Sequence, residues 1–240
     1  MAYIFNICCL IAAGICVWAG VRFWGNYQKS KIRQFKNFSI GFLFISLAYL
    51  FLFFPKIILF NSFWIQIDFI LVDLSFLASH LFLIPVVLSF SEKFAPLQKR
   101  IPQLLVLIGI IYIFFNLFFF SEAVPLKVNE VLSYWKNGVF WLHSILWIPL
   151  SSGAAVLGSW FLLSIKKVQE KRLFWKLLFG GMAGILVFIA GILFWYFKFF
   201  NPSLEILNIS GVIGVLGFLF GVIGGAIFQP PRETWVKKII

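Results

Sequence analysis

The chain has 240 residues, of which 62% are hydrophobic, 20% aromatic and only 12% charged, against about 45–50% apolar and 25% charged in ordinary soluble domains. This excludes a water-soluble globular protein and leaves no room for a soluble catalytic domain beside membrane spans, each of which takes about 20 apolar residues. The net charge of +12 would suit nucleic acid in a soluble protein, but in an apolar chain it is explained by loops flanking membrane helices, so no nucleic-acid partner is expected.

The first apolar run covers residues 2–24. It opens without a positive side chain and lacks a small-x-small cleavage pattern, so it is expected to stay as a helix. Cys8, Cys9 and Cys16 all fall within it without a CxxC spacing, which predicts small buried side chains instead of a disulfide framework. Six further runs follow at 38–60, 64–90, 101–120, 138–165, 173–197 and 204–228. Each is long enough to cross a bilayer. Pro55, Pro85 and Pro149 lie within three of them, where neighbouring membrane helices can satisfy the carbonyls a proline frees. The expected fold is therefore all-α: a single polytopic domain, 1–240, forming a seven-transmembrane-helix bundle.

The connections between these runs alternate in charge. Arg22, Lys29, Lys31, Arg33 and Lys36 follow the first run, and Lys93, Lys99 and Arg100 follow the third. Lys166, Lys167, Lys171, Arg172 and Lys176 follow the fifth, and Arg232, Lys237 and Lys238 follow the seventh. The other side holds only Lys56, Lys127, Lys136 and Lys198. A division of sixteen to four places the N-terminus outside and the C-terminus in the cytoplasm of a multi-pass plasma (inner) membrane protein, and requires an odd number of spans. Trp24, Trp64, Trp135, Trp141, Trp175 and Trp235 fall near run ends, where indole rings anchor at headgroups.

Small residues mark the expected packing faces. Gly217, Gly221 and Gly225 recur every fourth residue in the last run, Gly180 and Gly184 in the sixth, and Ala154 and Gly158 in the fifth. Such spacing lets helix backbones approach closely, so runs five, six and seven are expected to pack together. The same stripe could instead join two copies of the chain.

Ionisable groups inside a bilayer are costly and point to function. The candidates are Asp68, Asp73 and His80 on the third run and His143 on the fifth. A spacing of seven puts Asp73 and His80 on one helix face. Counted from helix midpoints, Asp68, Asp73 and His143 fall in the outer half, which would form a small external polar pocket. The alternative is that Asp68 and His143 reach interfacial water and that Asp73 bonds a hydroxyl such as Ser46. Two separated histidines do not make a zinc site with three protein ligands, and their depths differ too much for paired haem ligation. The last run has no lysine for a retinal Schiff base, and phosphate-loop, GxSxG and dinucleotide patterns are absent. No metal, no cofactor and no enzymatic activity is expected.

Gly20-Val21-Arg22-Phe23-Trp24, with Lys36-Asn37-Phe38 leading into Leu47-Ala48-Tyr49-Leu50, resembles the first hairpin of the seven-helix N-terminal sensory regions of bacterial histidine kinases. The stretch from Lys166 through Arg172 and Lys176 to Gly180-Gly181 is similar to the basic loop between their fifth and sixth helices. The resemblance implies a membrane sensor that signals to a cytoplasmic partner. The chain departs from that family in having no coiled coil, phosphoacceptor histidine or ATP-binding domain, and no ligand residues carry over.

The expected function is thus a non-enzymatic membrane protein of sensor or accessory-subunit type, coupling an external or intramembrane signal to a cytoplasmic protein partner or a second copy. The competing expectation is a small-solute or proton-coupled transporter using Asp73, His80 and His143.

Overall fold

A computed structural model describes residues 4–53, 62–88, 96–118, 123–127, 133–137, 140–200 and 203–226. Within them lie seven α-helices: α1 (Ile4–Ser30), α2 (Arg33–Phe53), α3 (Ser62–Leu88), α4 (Leu97–Phe118), α5 (Phe140–Ser164), α6 (Lys171–Phe199) and α7 (Leu204–Ala226). Each apolar run carries one helix. The four spanning Ile4–Ser30, Arg33–Phe53, Lys171–Phe197 and Leu204–Gly225 are long and apolar enough to cross a membrane. Shorter apolar segments, Ile70–Val86, Arg100–Phe115 and Ser152–Ser164, occupy the other three.

The chain is not purely helical. Between α4 and α5 an antiparallel hairpin pairs β1 (Ala123–Lys127) with β2 (Ser133–Asn137), Val124 opposite Lys136 and Leu126 opposite Tyr134. Val124, Tyr134 and Trp135 are residue types that favour strands, a local signal hidden by the apolar runs on either side.

Helix boundaries depart most at the first basic connection. The α1 helix runs on to Ser30 and α2 begins at Arg33, so Lys29, Arg33 and Lys36, expected in a loop, are helical. Polar side chains do not break a helix, and here the chain itself turns it. Lys31 takes φ 58, and its N–H donates to the Tyr27 carbonyl at 2.7 Å. The Ser30 hydroxyl donates to the Asn26 carbonyl at 2.8 Å, satisfying another of the acceptors a helix end leaves exposed. Lysines at this C-terminus also complement the partial negative charge of the aligned peptides.

Small polar residues tie the helices together. On α2, Ser39 donates to the Gly20 carbonyl of α1 at 2.8 Å, and Ser46 donates to the Ala13 carbonyl at 3.1 Å. The matching spacing of seven on both helices gives a straight antiparallel seam, in which Ser46 is committed to α1. On α7, Ser210 donates to the Ala190 carbonyl of α6 at 2.9 Å. A central cluster of Phe5, Cys9, Leu52, Val72, Phe197 and Leu207 joins α1, α2, α3, α6 and α7. Cys8, Cys9 and Cys16 are buried thiols.

The tightest glycine contacts against backbone are between α5 and α6. A Cβ on Gly158 would lie 2.7 Å from the Gly181 carbonyl oxygen, and one on Gly184 would lie 2.6 Å from the Ala154 carbonyl oxygen. Gly180 faces the Phe161 ring less closely, at 3.1 Å. On α7 the four-residue stripe is not the packing face. Gly217 meets Val187 at 2.9 Å, but Gly221 meets only Ala183 at an ordinary 3.6 Å, and Gly225 has no described atom within 4 Å. The face toward α6 instead runs through Ser210, Gly217 and Gly224. The interval of seven keeps a residue on the seam between helices crossing at a shallow angle, whereas two steps of four drift off it.

Among the described residues α4 stands apart, packing chiefly on α3 and slightly on α5. Its Leu104, Leu107, Ile110 and Phe114 are exposed. An outward row of large apolar side chains is the surface a bilayer solvates, and together with the four long apolar helices it marks a membrane protein.

Candidate functional site

The third helix positions most of the candidate residues. Asp73 lies near the middle of α3 and is 1% exposed, and Tyr112 of α4, equally buried, donates its hydroxyl to Asp73 Oδ2. Leu77 and Leu105 flank the pair. Phenol is a donor that an apolar helix can carry deep into a bundle at little cost, because most of its surface is hydrocarbon. The hydroxyl expected for Asp73 therefore comes from α4, and not from Ser46, whose own proton goes to α1. Asp68 is also buried, at 8% exposure, nearer the N-terminal end of α3. His143 belongs to α5, but its side chain lies outside the described residues, so the proposed Asp73–His143 pocket lies outside them as well.

His80, on the same face as Asp73 by the spacing of seven, makes contacts within its own helix. Its Nδ1 lies 2.7 Å from the Phe76 carbonyl oxygen and 3.1 Å from Ser79 Oγ. A carbonyl only accepts, so this contact places a proton on Nδ1 and makes Nε2 of the neutral ring an acceptor. The Ser79 hydroxyl donates to the same carbonyl at 2.6 Å. The ring is thereby held against its own helix.

His80 lines a partly open cavity of about 100 Å³ between the helices. The walls come from α1, α2, α3, α5, α6 and α7, and include Phe5, Tyr49, Phe76, Phe194 and Ser210. The wall residues of α1 and α7 come from their N-terminal halves, and those of α2 and α6 from their C-terminal halves. With neighbouring helices antiparallel, all of these lie in the same half of the bundle, while His80 of α3 and Ala154 of α5 lie just past the midpoints of their helices and carry the cavity to the middle. Tyr49 is held edge-on against Phe76 and Phe218, with ring centroids 5.7 Å and 5.5 Å away. Its hydroxyl would stand 3.8 Å from a Cβ on Gly214. Glycine at 214 and alanine at 190 leave the space; larger residues there would close it.

Neither Tyr49 nor Tyr112 stands out in the sequence, because a tyrosine among so many aromatics carries no spacing signal. Asn6 was also passed over. It is 3% exposed, and among the described residues neither its amide nitrogen nor its amide oxygen finds a hydrogen-bond partner. A buried amide left without partners costs about 1–3 kcal/mol. Asn6→Leu, of similar volume, is therefore expected to stabilise the bundle by about 1–2 kcal/mol, read as a higher melting temperature in detergent. A lower one would show that the amide is satisfied in the membrane.

Among the described residues no group of three or more His, Cys, Asp or Glu side chains could hold a metal ion. Neither the models of known protein families nor the curated proteins contain a match to this chain.

Proposed function

We propose that this chain is a non-enzymatic seven-span membrane protein of sensor or accessory-subunit type, with the N-terminal end of α1 outside and the C-terminal end of α7 cytoplasmic. The observation that supports this reading is the polarity of the bundle. The cavity reaches from the middle of the bundle, at His80 and Ala154, into the half that includes the N-terminal end of α1, while the basic turns at Lys29, Lys31 and Arg33 and at Lys166, Lys171 and Arg172 belong to the opposite end. A molecule entering the first half would bear on α1, α2, α6 and α7 together. Those same helices carry the basic turns toward a partner. A cationic face on the cytoplasmic side suits both topology and recognition of an acidic protein surface.

Reporters fused to the two ends are expected to show an external N-terminus and a cytoplasmic C-terminus; matching sides would refute the seven-span arrangement. Purification from native membranes is expected to retain a cytoplasmic protein that is lost when Lys166, Lys167, Lys171 and Arg172 are changed to Gln. The buried Asp73 and Tyr112 keep one rival reading in view, a proton-coupled transporter. Solute uptake by reconstituted vesicles that collapses in Asp73→Asn, with no retained partner, would establish the rival instead.

A further inference from the structure

The geometry points to a ligand of definite chemistry for the partly open cavity between the helices: a neutral, single-ring aromatic carrying one hydroxyl, a simple phenol, seated against Phe5, Phe76 and Phe194 with its oxygen at Tyr49 and Ser210. The inference deepens the sensor reading and rests on it for its consequence, since it names what the sensor would detect.

Size comes first. A cavity of about 150 Å³ lined by Leu, Ile and Phe takes up benzene, and this one, at about 100 Å³, is on the scale of one compact ring. Water is a poor occupant. Three molecules at about 30 Å³ each would fill the space, and each needs two to four polar partners. The walls offer few. Ser210 has given its proton to the Ala190 carbonyl and keeps lone pairs, His80 Nδ1 is taken up by the Phe76 carbonyl and leaves Nε2 as an acceptor, and Tyr49 adds one donor, fewer partners than three waters need.

Charge comes next. Among the described residues no Lys, Arg, Asp or Glu lines the cavity, so a charged guest would lose its hydration without compensation from them. A neutral guest loses little.

The polar edge then sets the functional group. Tyr49 makes ring contacts, but its hydroxyl makes no hydrogen bond among the described residues. It can donate to a guest oxygen. Ser210 Oγ, its proton already committed, keeps lone pairs that accept. A guest hydroxyl both accepts and donates, and so answers both. The aromatic walls favour a flat guest over an aliphatic alcohol. Phe5 and Phe194 are already stacked, with centroids 5.7 Å apart and planes 11° from parallel, and a further ring can pack offset or edge-on against them.

The test uses the full chain in lipid nanodiscs, with 4-fluorophenol and fluorobenzene as probes followed by fluorine NMR, and empty nanodiscs to subtract partition into lipid. Saturable 4-fluorophenol binding, displaced by phenol, is expected for the natural chain. Tyr49→Phe removes only the hydroxyl and is expected to weaken 4-fluorophenol about tenfold while leaving fluorobenzene unchanged. Gly214→Val should abolish binding of both by filling the space. Signals that match empty nanodiscs overturn the proposal, as does equal 4-fluorophenol affinity in the natural chain and Tyr49→Phe. Should Gly214→Val fail to fold, the Tyr49→Phe comparison decides alone. Failure of phenol binding with the cytoplasmic partner retained overturns the ligand class and leaves the sensor reading standing. Phenol binding with no partner retained supports the ligand and overturns the sensor reading.

Discussion

Tyr112→Phe is expected to destabilise the bundle by about 2 kcal/mol, because it strips a hydroxyl donor from a carboxyl group with no access to water. Asp73 is 1% exposed and Tyr112 as deeply buried, so no solvent replaces the lost bond. Asp73→Leu alone leaves the phenol without its acceptor and is expected to cost a similar amount. The double variant should recover part of the loss, since neither polar group then remains without a partner. The coupling in that cycle is expected to exceed about 1 kcal/mol, above the roughly 0.6 kcal/mol typical of hydrogen bonds between membrane helices. Denaturant titration in mild detergent reads all four proteins. Strict additivity would mean that α3 and α4 hold together through Leu77, Leu105 and their apolar neighbours alone.

A larger effect is expected at Gly184. Its missing Cβ would stand 2.6 Å from the Ala154 carbonyl oxygen, 2.8 Å from Gly158 Cα and 2.9 Å from Gly158 N. All three are backbone atoms, so no side chain can swing aside and the two helices must separate. Gly184→Ala is expected to cost about 2–3 kcal/mol, the upper range for overpacking, and Gly184→Leu to prevent α5 and α6 from closing. Gly221→Ala and Gly225→Ala are expected to change melting by little, since one site meets only Ala183 at 3.6 Å and the other has no described neighbour within 4 Å. Equal losses at Gly184 and Gly221 would contradict this assignment of packing faces.

These contrasts show what a sequence can carry. The seven apolar runs were readable because each helix must hide its backbone from lipid along its whole length, which leaves a long unbroken signal. Which glycines touch a neighbour was not readable. Gly221 and Gly217 belong to the same four-residue pattern, yet the interval that matters is the seven linking Ser210, Gly217 and Gly224, set by the crossing angle of α6 and α7. The candidate site was half visible. Asp73 and His80 announce themselves by charge in an apolar setting, whereas Tyr112 and Tyr49 acquire meaning only once helices distant in sequence stand beside them. The hairpin at β1 and β2 carries only a weak signal, because Val124, Tyr134 and Trp135 stand among Ala, Pro, Lys and Asn, which strands disfavour, and between long apolar runs.

The contact between α1 and α7 also has a consequence for biosynthesis. The Phe5 N–H donates to Asn208 Oδ1 at 3.1 Å across 203 positions of chain, and Phe5, Cys9 and Leu207 share one core. At roughly 5–20 residues per second, a ribosome needs on the order of 10 to 40 seconds to make the intervening segment. For that interval the first helix sits in the membrane with its α7 face open, while Ser39 and Ser46 of α2 have already clasped its other side. The cavity cannot exist until the last helix arrives. Whatever occupies it therefore meets only molecules in which α7 has docked on α1, and occupancy reports on that docking as well as on the surroundings.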